Sequence, residues 1–190
     1  TWVLSEACRQ VRAWQDQGLP VVSVAVNLSA VQFHHEHLSA LVQTILDEVK
    51  LPPWYLELEL TESVAAQNPE RAIETMNRFY EKGIRLAIDD FGTGYSSLSN
   101  LKRFDINYIK IDRSFVCNLH RASEDVALCQ AIIVMAHQLG IQVVAEGVET
   151  QEQHSILLEA GCDFGQGYWY CKPITATEMT QRLVQENLKI

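Results

Sequence analysis

Apolar residues recur along the chain in two alternating rhythms. Leu4, Ala7, Val11 and Trp14 share one face at helical spacing over 3–16, and Gly18 ends that stretch. A β-branched run over 21–26 then leads to Asn27. Leu38, Leu41, Val42, Ile45, Leu46 and Val49 return to the helical period, which Pro52 and Pro53 close. Residues 56–61 read as a strand. Asn68 as N-cap and Pro69 as first residue open a helix carrying Ile73, Met76 and Tyr80, with Gly83 past its end. The same unit repeats. A strand at 85–89 precedes a short helix near Leu98 and Leu101, and a strand at 108–112 precedes a helix ending at Gly140. A strand at 142–146 precedes a helix whose Thr150 and Gln153 fit a capping box and which stops near Gly161. The run "DFGQGYWY" predicts a last strand, and Thr175 with Glu178 can cap a final helix.

The pattern predicts six β/α units behind one leading helix, hence a mostly parallel sheet with short crossovers. Polar residues decide between an open sheet and a barrel. Asn27, Glu59, Asp89, Lys110, Glu146 and Gln166 each fall at or near the carboxyl end of a different predicted strand. An open sheet gathers ligands at one switch point, whereas a barrel rings one site with every strand end. The expected fold is therefore an α/β, TIM-like (β/α)8 barrel, with about six of its eight β/α units present. Such barrels run to about 250 residues, so the 190 residues are expected to be one domain, 1–190, lacking its N-terminal strands.

Composition narrows the function. The formal net charge is −9, which argues against nonspecific binding to nucleic acid. No run approaches the roughly 18 apolar residues of a membrane span, and the start has no signal-peptide pattern. The five cysteines include no C-x-x-C pair and read as reduced or buried thiols in a cytoplasmic domain.

The strand ends are rich in oxygen ligands: Asn27, Glu59, Asp89, Asp90 and Glu146. A single acid there is more often a helix cap or a surface group. Five such ligands at neighbouring strand ends are harder to dismiss, because the converging carboxylates among them repel one another and a metal removes that conflict. Hard oxygen donors select Mg²⁺, Mn²⁺ or Ca²⁺ over zinc. Asp89 and Asp90 point to opposite faces if the strand continues, so both reach one site only if the strand ends between them or one bridges two metals. Gly92 and Gly94 supply the freedom for such a turn. A pair of metals about 3.5–4 Å apart suits in-line attack on a phosphate ester. Lys110, the lone cation of the ring, either orients or deprotonates a water or forms an ion pair with the acids. Asp112 reads as a turn cap. "HHEH" (34–37) reads as a solvated helix start, and Trp2, Trp14 and Trp54 as packing residues. Trp169 and Tyr170 have a base-stacking role open to them near the top face.

The segments "VNLSA", "LELELTES", "AIDDFGTGYSSL", "IKIDRSFV", "VVAEGVET" and "QGYWYCKP" resemble, in order and spacing, the motifs of the EAL domain, the bacterial cyclic di-GMP phosphodiesterase. The resemblance implies a modified (β/α)8 barrel, a Mg²⁺ or Mn²⁺ site of two metals, and hydrolysis of cyclic di-GMP to linear pGpG. It implies Asn27, Glu59, Asp89 and Asp90 as metal ligands, and Glu146 and Glu149 in support of the metals or their waters. Lys110 would serve the attacking water, Gln166 the metal–water–phosphate network, and Glu62 would brace the "DDFGTG" loop. It implies a homodimer and a parent protein with N-terminal sensory or GGDEF-type domains, for which anchoring at the inner membrane is open. The Glu-Ala-Leu motif that names the family is expected upstream of Thr1. An inactive module that binds cyclic di-GMP or a protein is the alternative, and an enolase-type barrel fits the Gly-rich loop poorly.

Overall fold

The computed structural model describes residues 2–94, 98–120 and 123–187. Residues 95–97 of the "GTGYSS" segment lie outside the described residues. Six strands, β1 (Val24–Asn27), β2 (Leu56–Thr61), β3 (Arg85–Phe91), β4 (Tyr108–Ile111), β5 (Gln142–Glu146) and β6 (Phe164–Gln166), form one sheet in chain order. Every pairing is parallel. Ten helices accompany them among the described residues: α1 (Trp2–Asp16), α2 (Ala30–Phe33), α3 (Leu38–Val49), α4 (Glu62–Gln67), α5 (Pro69–Tyr80), α6 (Leu98–Leu101), α7 (Arg113–Val116), α8 (Glu124–Gln138), α9 (Gln151–Glu159) and α10 (Ala176–Asn187).

Strand alternation separates two faces. Leu56, Leu58, Leu60, Leu86, Ile88, Ile109, Ile111 and Val143 point outward, fully buried beneath the helices. The other face of the same strands carries Glu57, Glu59, Arg85, Asp89, Lys110 and Glu146, so it is polar where an ordinary barrel interior is aliphatic. Helices from the two ends of the sequence meet. The buried Trp14 of α1 donates from Nε1 to Thr180 Oγ1 of α10 at 2.8 Å, 166 residues away. The result is a partial TIM barrel of six β/α units. Among the described residues, β1 pairs only with β2 and β6 only with β5.

Local signals account for most boundaries. Asn68 Oδ1 accepts from the Arg71 amide at the start of α5, and Thr150 and Gln153 form the capping box of α9. Thr175 and Glu178 exchange bonds at the start of α10. Differences from the sequence pattern are local. Strand β1 begins at Val24, and Val21 is exposed. β4 stops at Ile111, because Asp112 caps α7 by accepting from the Ser114 amide at 2.9 Å. β6 holds only three residues of "DFGQGYWY". Trp2 and Trp54 are exposed, so only Trp14 of those three tryptophans is a packing residue. No helix of the described residues is long and apolar enough to cross a membrane.

Candidate metal centre

The carboxyl ends of β2, β3, β4 and β5 converge on Lys110. Lys110 Nζ lies 2.8 Å from Glu59 Oε1, 2.6 Å from Glu146 Oε1 and 3.6 Å from Asp89 Oδ1. Lys110 is only 4% exposed, Glu59 5% and Asp89 9%. Burial by itself would lower the lysine pKa. The hydrogen bonds and charges of Glu146 and Glu59 outweigh it and hold the ammonium well above the ordinary lysine range. In this arrangement the Lys110 ammonium is held by three acids. The opposite pull acts on Glu146. Burial raises its pKa, Lys110 draws it back, and Asp89 and Glu59 raise it again. Below this layer Glu57 is pushed up to about 7 by burial and by the Glu59 charge, against the pull of Lys110 and Arg85.

The paired aspartates reach one site through the backbone itself. The β3–β4 register shifts between Ile88 and Phe91, and Asp90 has a positive φ of 54°. A non-glycine residue in that region is uncommon, and asparagine and aspartate tolerate it best. The kink turns the Asp90 side chain off the outer face. One carboxylate oxygen each from Asp89, Asp90 and Glu146 then lies within 4.8 Å of the others. Asp89 Oδ1 accepts from the Asp90 amide at 3.0 Å, and Thr93 Oγ1 donates to the Asp90 carbonyl at 2.9 Å. Beyond the kink, the buried Glu62 at the start of α4 takes the loop in hand. Its Oε2 accepts from the Gly92 amide at 3.0 Å and the Gly94 amide at 3.3 Å. A side chain on Gly94 would meet that carboxylate, and one on Gly92 (φ 99°) would meet the Phe115 ring.

The remaining candidates surround this cluster. Asn27 stands beside Glu59 in the sheet register at the exposed end of β1. Gln166 stands beside Glu146 at the end of β6. Glu149 lies at the rim, where its Oε1 accepts from Arg113 Nη2 at 2.8 Å. Asp112 caps α7, accepting from the Ser114 amide, and lies close enough to Asp90 for the two acids to perturb each other. Burial, Asp89 and Asp112 raise the pKa of Asp90, while the bonds around Asp112 hold its own pKa down against burial. The sequence signal for this second role is that Asp112 lies two residues after Lys110. His34, His35, Glu36 and His37 fall between α2 and α3, outside any metal-holding cluster of the described residues.

The donor set suits a hard divalent cation. It offers carboxylate oxygens and no cysteine or histidine. Three carboxylates about one ammonium leave an excess of buried negative charge that a dication would neutralise.

Residues 1–173 match the profile of the EAL domain. The chain is 43% identical over 185 residues to the signaling protein YkoW of Bacillus subtilis, covering 97% of this chain and 23% of YkoW. It is 42% identical over 178 residues to MucR of Pseudomonas aeruginosa, named a bifunctional diguanylate cyclase/cyclic di-GMP phosphodiesterase, covering 94% of this chain and 26% of MucR. The solved PaMucR phosphodiesterase in complex with c-di-GMP superposes with a TM-score of 0.90 at 42% identity, over 94% of this chain and 72% of that one. The Klebsiella pneumoniae BlrP1 manganese/cy-diGMP complex matches with a TM-score of 0.75 at 31% identity, over 86% of this chain and 42% of that one. The chain thus spans about a quarter of the length of these curated relatives.

Proposed function

The chain belongs to the EAL domain family, and from that premise we propose that it hydrolyses cyclic di-GMP to linear pGpG with the help of Mg²⁺ or Mn²⁺. The observation that carries this reading is the convergence of Asp89, Asp90 and Glu146 within 4.8 Å, beside the buried Lys110 that Glu59 and Glu146 contact. Asp89, Asp90 and Glu59, with Asn27 at the adjoining strand end, would hold the metal ions. Bound there, the metals supply Lewis acidity at the phosphate and a water of lowered pKa. Lys110 would donate a hydrogen bond that orients the attacking water, and Glu146 would accept the water's proton as its oxygen bonds to phosphorus and the P–O bond to one sugar breaks, that sugar oxygen taking a proton from solvent. Gln166 holds the phosphate side of the network, Glu149 supports the rim, and Glu62 fixes the loop that carries Asp90.

The greater length of the relatives supports a parent protein with further, sensory or GGDEF-type domains. The six β/α units here are then six of the eight of a complete barrel. The direct experiment incubates the purified full-length protein with cyclic di-GMP and Mn²⁺ and separates linear from cyclic dinucleotide. Accumulating pGpG is the expected result. Cyclic di-GMP that binds but is never consumed would replace the enzyme with a sensing module.

A further inference from the structure

Beside the metal cluster a pocket of about 180 Å³ opens between the ends of β5 and β6, with Glu146 and Gln166 on its cluster side and Arg113, Glu149 and Tyr168 around its mouth. Its most ordered feature is an ion pair. Arg113 is 63% exposed and Glu149 41%, and such surface pairs are ordinarily loose. This one is held from several sides. The Arg113 stem lies flat on Gly147 (φ 71°), where any Cβ would overlap Arg113 Cβ and Cγ. Its Nη2 donates to Glu149 Oε1 at 2.8 Å, and the Glu149 amide donates to Gln153 Oε1 at 2.7 Å. Gln153 is itself buried, and its Nε2 donates to the Cys117 carbonyl at 3.2 Å. A guanidinium fork and a carboxylate are thereby fixed side by side, one presenting donors and the other acceptors.

That pairing matches one edge in particular. Guanine sets the acceptors O6 and N7 next to the donors N1–H and N2–H. Adenine presents a single exocyclic donor between two ring acceptors, so it leaves the carboxylate with one partner fewer. We propose that this pocket reads a guanine base: Arg113 donates to O6 and N7, Glu149 accepts from N1–H and the exocyclic amine, and the half-exposed Tyr168 supplies an aromatic face. The assignment rests on the phosphodiesterase reading of the adjoining cluster, and it makes Arg113 and Glu149 specificity-determining residues.

The test compares kcat/KM for cyclic di-GMP and cyclic di-AMP in the full-length protein and in Arg113→Met, Arg113→Lys and Glu149→Gln, with melting temperatures as a folding control. Each lost base contact should reduce the preference for cyclic di-GMP by about tenfold or more, chiefly through KM. Arg113→Lys should lose the preference as well, since an ammonium keeps the charge but not the fork. Equal losses on both dinucleotides, or full rescue by lysine, would make Arg113 a phosphate or structural contact and overturn the base pocket alone. A wild-type protein that turns over neither dinucleotide overturns the phosphodiesterase reading and the base pocket with it.

Discussion

Replacing Lys110 by methionine is expected to lower turnover on the order of 10²- to 10⁴-fold, the range of a positioned proton-transfer partner. The side chain touches three acids at once, at 2.6, 2.8 and 3.6 Å. It therefore has a water-orienting role in the reaction and a charge-compensating role in the fold. Removing one partner of a buried ion pair strands the other, at a cost of about 3–5 kcal/mol. The two roles are separable by pH. Without the ammonium, Glu146, whose pKa burial already raises, would hold a proton in the folded state that it releases on unfolding. Stability then falls as pH rises above the ordinary carboxylate range, because the folded state binds the extra proton. The variant should accordingly be nearest to wild-type stability in mild acid and weakest above neutrality. Mn²⁺ should recover part of the stability but not the turnover. Denaturant melts across pH, with and without metal, check the first effect, and single-turnover kinetics check the second. Equal proportional losses in kcat and substrate affinity would reduce Lys110 to an ion pair.

The second large effect is expected at Glu62, which touches no reacting group in the proposed mechanism. Its buried carboxylate receives the amides of Gly92 and Gly94 and so fixes the chain immediately after the left-handed Asp90. Outer-shell groups of this kind typically change metal affinity or activity by about 10- to 100-fold. Glu62→Ala should raise the Mn²⁺ concentration needed for half-maximal rate by that order. Glu62→Gln, which retains an acceptor oxygen, should lie between. Gly94→Ala tests the same contact from the other side, since its Cβ would come 2.9 Å from Glu62 Oε1. A Glu62→Ala protein with wild-type metal dependence would show that the loop holds its shape without the brace.

Much of this arrangement was legible in the chain. Periodicity identified β1 to β5, because buried parallel strands are dense in Leu, Ile and Val and are spaced by helices with clear caps, while β6, exposed and without any of these residues, followed from its place in the alternating series. It missed α2, α4 and α7, of four, six and four residues, which are too short to develop a helical period. Ser29 and Gln32 do carry the capping box of α2, so that start was written in the sequence. The two aspartates raised the problem of facing one site from adjacent positions. Its answer, a register shift with a positive φ at Asp90, is a tertiary compromise that alternation alone does not reveal. Glu62 entered only through the family resemblance, since a glutamate after a strand looks like any helix-initiating acid. The Arg113–Glu149 pair joins residues 36 apart and leaves no local trace.

The central claim is that Asp89 and Asp90, with Glu59 and Asn27 at the neighbouring strand ends and Glu146 beside them, form a divalent-metal centre for phosphodiester hydrolysis. Its most direct test is the rate of pGpG formation by the full-length protein after exhaustive chelation, followed by stepwise return of Mn²⁺ to wild type and to Asp89→Asn. The expected result is no turnover after chelation, saturable recovery in wild type, and a recovery in Asp89→Asn that is either lost or displaced to much higher metal concentration. Turnover that survives chelation, or an Asp89→Asn protein with the wild-type metal titration, would contradict it.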